Sequence, residues 1–250
     1  MRICDPHIHM VSRVTDDYER MALAGIRMVV EPSFWLGEPR KHVGTFLDYF
    51  DQLVHFERER AAKYGIRHFC TISVNPREAN DVRLAREVMK KLHKYLKDTS
   101  VVAVGEIGFD DLTPAEERFY IEQLEMARHF KLPVMIHTPH KRKFDGTKRN
   151  LDILKRMKYD MAKVLVDHNT EETIELSHAS GAWCGHTVYP VTKLSPERAA
   201  NIFMQYGVKR MMVNSSADLG PSDCLSVPRT LNELRRRGMK ENDLETLAWD

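Results

Sequence analysis

The two imidazoles of "DPHIHM", His7 and His9, stand two residues apart just after a short apolar run. In extended backbone such a pair projects from one face and can converge on a single point, whereas in a helix the rings would diverge by about 200°. By itself H-x-H is also an ordinary pair of polar residues at a strand end. Further residues of metal-ligand type follow, each closing an apolar run: Glu106 in "VAVGEIGFD", His137 in "PVMIHTPH", His168 in "KVLVDHNT" and Asp218 in "MMVNSSADLGPSD". Imidazole with carboxylate suits Zn²⁺, Mn²⁺ or Fe²⁺ better than an all-oxygen Mg²⁺ site. One or two divalent ions are expected, Zn²⁺ or Mn²⁺ before Mg²⁺, Fe²⁺ or Ni²⁺.

Each choice has a physical reason. A glutamate behind Val-Ala-Val in a buried strand needs a cation partner, and the histidines favour a metal over a buried basic side chain. Asp167 and His168 are adjacent, so strand alternation puts them on opposite faces; His168 is taken as the ligand and Asp167 as a supporting partner. Asp218 lies nearer its strand end than Asp223, which is expected to cap the next helix.

These residues need a scaffold that gathers distant strand ends. Apolar runs rich in Val, Ile and Met occur at 2–4, 26–30, 67–74, 101–106, 133–137, 163–168, 182–188 and 210–214, with helical patterns between them. Thr113-Pro114 with Glu116 is a capping box, and Ser195-Pro196 closing at Gly207 repeats the same signals. Residues 44–64 hold the longest helical pattern, and "TEETIELSHAS" allows only a short helix. Strands alternating with helices over 250 residues predict an α/β fold, a single-domain TIM (β/α)8 barrel over 1–250. A doubly wound sheet would need a glycine-rich turn after its first strand, and "DPHIHM" has no glycine. In a barrel the candidate ligands share the C-terminal rim, where chemistry resides.

The composition narrows the partners. A net charge of +2 gives no support to a nucleic-acid-binding surface, although local basic patches are compatible with one. Four scattered cysteines without a C-x-x-C pair suit reduced thiols. With no signal-like segment and no membrane-length apolar run, a cytoplasmic protein is expected. The oligomeric state is not legible.

The ordered set H-x-H, G-E-I-G-F-D, "IH", a sixth-strand His and an eighth-strand Asp resembles the TatD-related metal-dependent hydrolases, from about residue 5 to 218. "DPHIHM", "EPSFWLG", "HTPH" and "VDHNTEET" look closest to its EboB subgroup. The resemblance implies one metal on His7, His9 and Glu106 and a second on Glu106, His137 and His168. Asp218 would complete the first site and take the proton of the attacking water, making Asp218 and Glu106 the catalytic pair. Two departures face the substrate: Asn169-Thr170-Glu171 replaces a Cys-Phe-Ser-Gly-like stretch, and "NSSAD" replaces Glu-Thr-Asp. The family usually continues past this C-terminus, so a truncated last helix and a weaker barrel closure are expected.

Around the centre, His140, Lys143, Trp35 and Asn169 are candidate substrate contacts, and Glu31 is a weaker metal candidate. Lys141, Arg142, Lys143, Lys148 and Arg149 form either a phosphate clamp or a solvated loop. The leading expectation is hydrolysis of a phosphoester by metal-activated water. Alternatives are a carboxylic ester, lactone or amide substrate, or a metal-binding barrel without turnover that serves in binding or assembly.

Overall fold

A computed structural model describes residues 1–249. The apolar runs become parallel strands β1 (Ile3–Asp5), β2 (Ile26–Pro32), β3 (Arg67–Ile72), β4 (Val101–Gly108), β5 (Val134–His137), β6 (Val164–Val166), β7 (Trp183–Thr187) and β8 (Met211–Asn214). They pair in chain order as one eight-stranded sheet. This is the expected TIM-type barrel.

Helices cover the outside. They are α1 (Thr15–Leu23), α2 (Val43–Asp51), α3 (Arg58–Ala62), α4 (Val82–Tyr95), α5 (Pro114–Phe130), α6 (Lys143–Arg156), α7 (Ile174–Ala179), α8 (Pro196–Tyr206), α9 (Ser226–Arg236) and α10 (Glu241–Ala248). A π-helical turn at Gln52–Glu57 joins α2 to α3, which accounts for the long helical pattern after Gly44. Local signals act as read. Thr113 Oγ1 accepts Glu116 N–H at 3.1 Å, and Glu116 Oε2 accepts Thr113 N–H at 3.3 Å. Ser195 Oγ caps α8, which stops at Gly207 with φ +78°. Replacing Thr113 with Ala would cost about 1 kcal/mol.

Strand residues alternate between the helices and the barrel interior. Ile72, Val104, Ile136 and Val166 pack on α2, α4, α5 and α6 in one apolar cluster. Ile3, Ile26, Val29, Cys184, Met211 and Val213 pack on α1, α8 and α9 in another. Each fully buried Leu, Ile, Val or Phe contributes about 1.5–3 kcal/mol against conformational entropy. β8 and β1 are linked just beyond their ends: Ser216 N–H donates to His7 O (2.7 Å) and His9 N–H to Ala217 O (2.9 Å). α10 packs across β1 and β8. Among the described residues, no helix is long and apolar enough to cross a membrane.

Several boundaries differ from expectation in a way that matters for the site. β6 ends at Val166, so Asp167 and His168 lie in the following turn, and strand alternation does not separate them. β4 runs on to Gly108, and its register against β5 jumps from Gly105 to Ile107, leaving Glu106 as the extra residue. Such a bulge re-aims a side chain.

Candidate metal centre

Glu106 is the hub. Its Oε1 lies 3.1 Å from His137 Nδ1 and 3.1 Å from His168 Nε2, and its Oε2 lies 3.9 Å from His7 Nε2. His9 joins through His7, with the two Nε2 atoms 3.2 Å apart. Thus His7, His9, Glu106, His137 and His168 come together on the C-terminal rim. They arrive from the ends of β1, β4, β5 and β6.

Two glycines explain the "GEIG" spacing. A Cβ on Gly105 would meet Met135 Cβ at 2.6 Å, so β4 and β5 can approach only with hydrogen there. Gly108 has φ +126°, and its Cβ would press on His137 O at 2.7 Å. Both contacts lie on the strand that carries His137.

The supporting groups orient the rings. His7 Nδ1–H donates to Asp167 Oδ2 at 2.6 Å, which turns the Nε2 lone pair toward Glu106 and His9. Asp167 is fixed in turn by His168 N–H (2.7 Å) and Asn214 Nδ2 (2.9 Å) on its Oδ1. His168 Nδ1 is 2.7 Å from Thr187 Oγ1, leaving Nε2 for the centre. His9 stacks on Phe34, ring centroids 3.8 Å apart. Asp5 Oδ1 accepts the backbone N–H of His7 and of Ser215, each at 3.2 Å, so Asp5 braces the β1 and β8 loops.

Electrostatics follow the geometry. Burial opposes ionisation of Glu106, but the charges of His7 and His137 and the hydrogen bonds of His137 and His168 hold it well below the usual carboxylate range. Burial, aided by His7, pushes His9 well below an ordinary histidine; burial and Lys193 do the same to His168. Burial works against protonated His7 as well, yet Glu106 and the Asp167 hydrogen bond outweigh it and raise its pKa. Neutral His9 and His168 beside an ionised Glu106 are in the form that binds a cation, and a bound cation would take the place of a proton on His7. The donor set therefore fits a metal. His7, Glu106, Asp167 and His168 each offer an atom within 4.8 Å of the others, and the Asp167 oxygen is already engaged by His7.

The sequence of the family described as TatD related DNase matches residues 4–218. The chain belongs to the TatD-related metal-dependent hydrolases. It is 31% identical over 245 residues to an uncharacterised metal-dependent hydrolase of Methanocaldococcus jannaschii, covering 96% of this chain and 94% of that one. The crystal structure of a TatD-like protein from Archaeoglobus fulgidus superposes with a TM-score of 0.78 at 26% identity, over 98% of this chain and 99% of the other. A TatD homologue of Escherichia coli has the same fold, with a TM-score of 0.68 at 17% identity over 98% and 95% of the two chains.

Other expected members of this TatD-related site sit elsewhere. Asp218 is not in the cluster: its Oδ1 accepts Tyr189 O–H and Gly220 N–H, both at 2.8 Å. Ser216 takes the place expected for it, with Oγ 3.3 Å from His7 Nε2. The reason is loop length, since "NSSAD" carries the aspartate past the point where the chain crosses His7. Asp223 does not cap α9 as expected: the cap position is Leu225, and Asp223 closes the turn before it by accepting Leu225 N–H and pairing with Arg229. Asn169 is spent on structure, donating to Val166 O (2.7 Å) and accepting Ser177 O–H (2.6 Å). Trp35 lies under Arg77, 4.1 Å from guanidinium to ring, and it is Phe34 that touches a centre histidine. Glu31 binds His68 Nε2 at 2.8 Å instead of the centre.

Of the two readings open for the basic stretch after β5, a clamp is not formed, and its residues are dispersed. Arg142, Lys148 and Arg149 pair with Asp145, Asp152 and Glu117, and Lys141 is exposed. Lys143 turns inward, donating to Thr138 Oγ1 (3.2 Å) and His168 O (3.1 Å). Burial and Lys193 lower its pKa to about 8. His140 is exposed on the rim, within electrostatic reach of Lys193, His137 and Lys143. Sequence reasoning missed Lys193, Ser216 and Phe34. Phe34 was one residue from the aromatic chosen, but nothing in the β7 loop marks Lys193.

Proposed function

We propose that this TatD-related protein hydrolyses a phosphoester bond with one or two divalent cations, Zn²⁺ or Mn²⁺. His7, His9 and Glu106 would hold one ion, and Glu106, His137 and His168 a second. The observation that carries this is the convergence of three imidazoles on the single carboxylate of Glu106, with a fourth, His9, 3.2 Å from His7. When bound, the cation supplies Lewis acidity, lowering the pKa of water and polarising the scissile centre.

The chain's own residues do the rest. Asp167 and Thr187 hold His7 and His168 with the donor nitrogen inward. Phe34 limits the tilt of His9. Glu106, kept ionised, faces both halves of the site as the carboxylate that the two ion sites would share. The positive surroundings support an anionic substrate: Lys143 is buried and has no ion pair among the described residues. The motifs "DPHIHM", "EPSFWLG", "HTPH" and "VDHNTEET" support placement within the EboB subgroup.

Elemental analysis of protein purified without a nickel step tests the metal, and hydrolysis of p-nitrophenyl phosphate and bis-p-nitrophenyl phosphate tests the chemistry. Occupancy near one or two ions per chain is expected, with turnover lost in Glu106→Gln. Occupancy under about 0.2 per chain would overturn the proposal, since such a site binds tightly. Turnover of lactones alone would overturn the substrate class.

A further inference from the structure

The loop between β7 and α8 carries a lysine that no motif marked, and its fold aims that lysine at the centre. Tyr189 N–H donates to Leu194 O (3.0 Å), and Leu194 N–H returns to Thr187 O (3.2 Å). The turn is clamped from outside by Arg198, which donates to Lys193 O (2.6 Å) and pairs with Glu171 at 2.9 and 2.6 Å. The turn that carries Lys193 is thus held at three points, and the half-buried side chain of Lys193 reaches Ser216.

Its ammonium donates to Ser216 Oγ at 3.3 Å, and that hydroxyl lies 3.3 Å from His7 Nε2. Lys193 is therefore one hydroxyl away from the nitrogen that faces Glu106. An ammonium has three donors. Here a single hydrogen bond is made, and no ion pair to Lys193 exists among the described residues. Lys143, on the other flank, is likewise without a carboxylate partner. Glu106, Asp167 and Asp218 act on Lys193 through space, but none of them pairs with it directly. A divalent cation would add further positive charge beside the two ammonium groups, and an anionic substrate would offset it.

We propose that Lys193 binds an anionic oxygen of the substrate, so that the site takes phosphate esters whose charged phosphoryl group sits between Lys193 and the Glu106 cluster. The proposal rests on the metal-hydrolase reading. Lys193 is a recognition residue in it. Charge-assisted hydrogen bonds of this kind are strong and selective for phosphate-type oxygens. Ser216 matters equally, because a carboxylate at that position would neutralise the lysine and repel the anion.

Calorimetric titration of the metal-loaded protein with inorganic phosphate tests this, using wild type, Lys193→Met and Lys193→Arg, with metal content measured on each sample. Phosphate should bind wild type, weaken by about tenfold or more in Lys193→Met, and return near wild type in Lys193→Arg. Metal content should be equal in all three. Unchanged phosphate affinity in Lys193→Met overturns the proposal, as does a wild type that binds no phosphate. Loss of metal together with phosphate in Lys193→Met also overturns it, because the effect would then run through the ion. Acetate binding as tightly as phosphate overturns the assignment to phosphate esters. A wild type that holds no metal yet binds phosphate through Lys193 would refute the hydrolase reading alone.

Discussion

Asp167 Oδ2 and His7 Nδ1 lie 2.6 Å apart in the fully buried floor of the rim, and this contact fixes which nitrogen of His7 faces Glu106. The carboxylate does not compete for a cation while it holds that proton. Asp167→Asn keeps the shape but removes the charge that favours the inward lone pair. Metal affinity should fall by roughly 10–100-fold, as read by competition with a chelator. An unchanged affinity would mean that His7 needs no orienting partner.

Acidification should destabilise the metal-free protein in a defined window. His9 and His168 have folded pKa values below the ordinary value, so the unfolded chain takes up their protons first. Their contribution to stability is lost as pH falls below about 6.5. His7 is shifted the other way, contributing stability at low pH that is lost as pH rises through its folded pKa. His140 and His186, each pushed down to about 4 by burial, act in the same direction as His9 and His168. The melting temperature of metal-free protein should drop between about pH 7 and 5, with a shallower slope in His9→Gln. A flat profile would contradict the neutral imidazoles.

Phe34 and Trp35 are neighbours with different duties, one under His9 and the other under Arg77. Phe34→Ala should cost about 3–5 kcal/mol as a core truncation and loosen His9. Phe34→Leu should retain the fold yet bind metal more weakly. Trp35→Ala should leave metal content intact. Denaturant melts with elemental analysis separate the effects, and equal metal loss from both positions would refute the assignment.

Gly105→Ala inserts a methyl group where Met135 Cβ lies 2.6 Å away. Overpacking of this sort costs about 1–3 kcal/mol, and here it should also displace Glu106. Lower melting temperature together with reduced metal occupancy is expected. A stable variant with full occupancy would show that β4 and β5 can separate freely.

Asp218→Asn preserves the tether to Tyr189 and Gly220 in outline. Turnover should therefore fall far less than in Glu106→Gln, with metal content unchanged. Comparable loss in both variants would restore Asp218 as the proton acceptor that the family resemblance implied.

Much of this protein is legible along the chain. Eight apolar runs and the helices between them identify the barrel, because hydrophobic periodicity and capping are local properties. The same holds for five residues of the centre, since His7, His9, His137 and His168 each end or follow a strand and Glu106 lies two residues from the end of β4, and a barrel brings those ends together. Tertiary structure decided what local rules cannot reach. Asp167 turns inward because β6 stops at Val166 and His168 takes φ +59°, which cancels the alternation expected of neighbours. Ser216 displaces Asp218 because the β8 loop is pinned to His7 by a backbone hydrogen bond. Lys193 reaches the centre only through a turn clamped by Arg198 and Glu171. Strand ends obey the period of the chain, whereas loops are shaped by the distant groups that satisfy their backbone and charge.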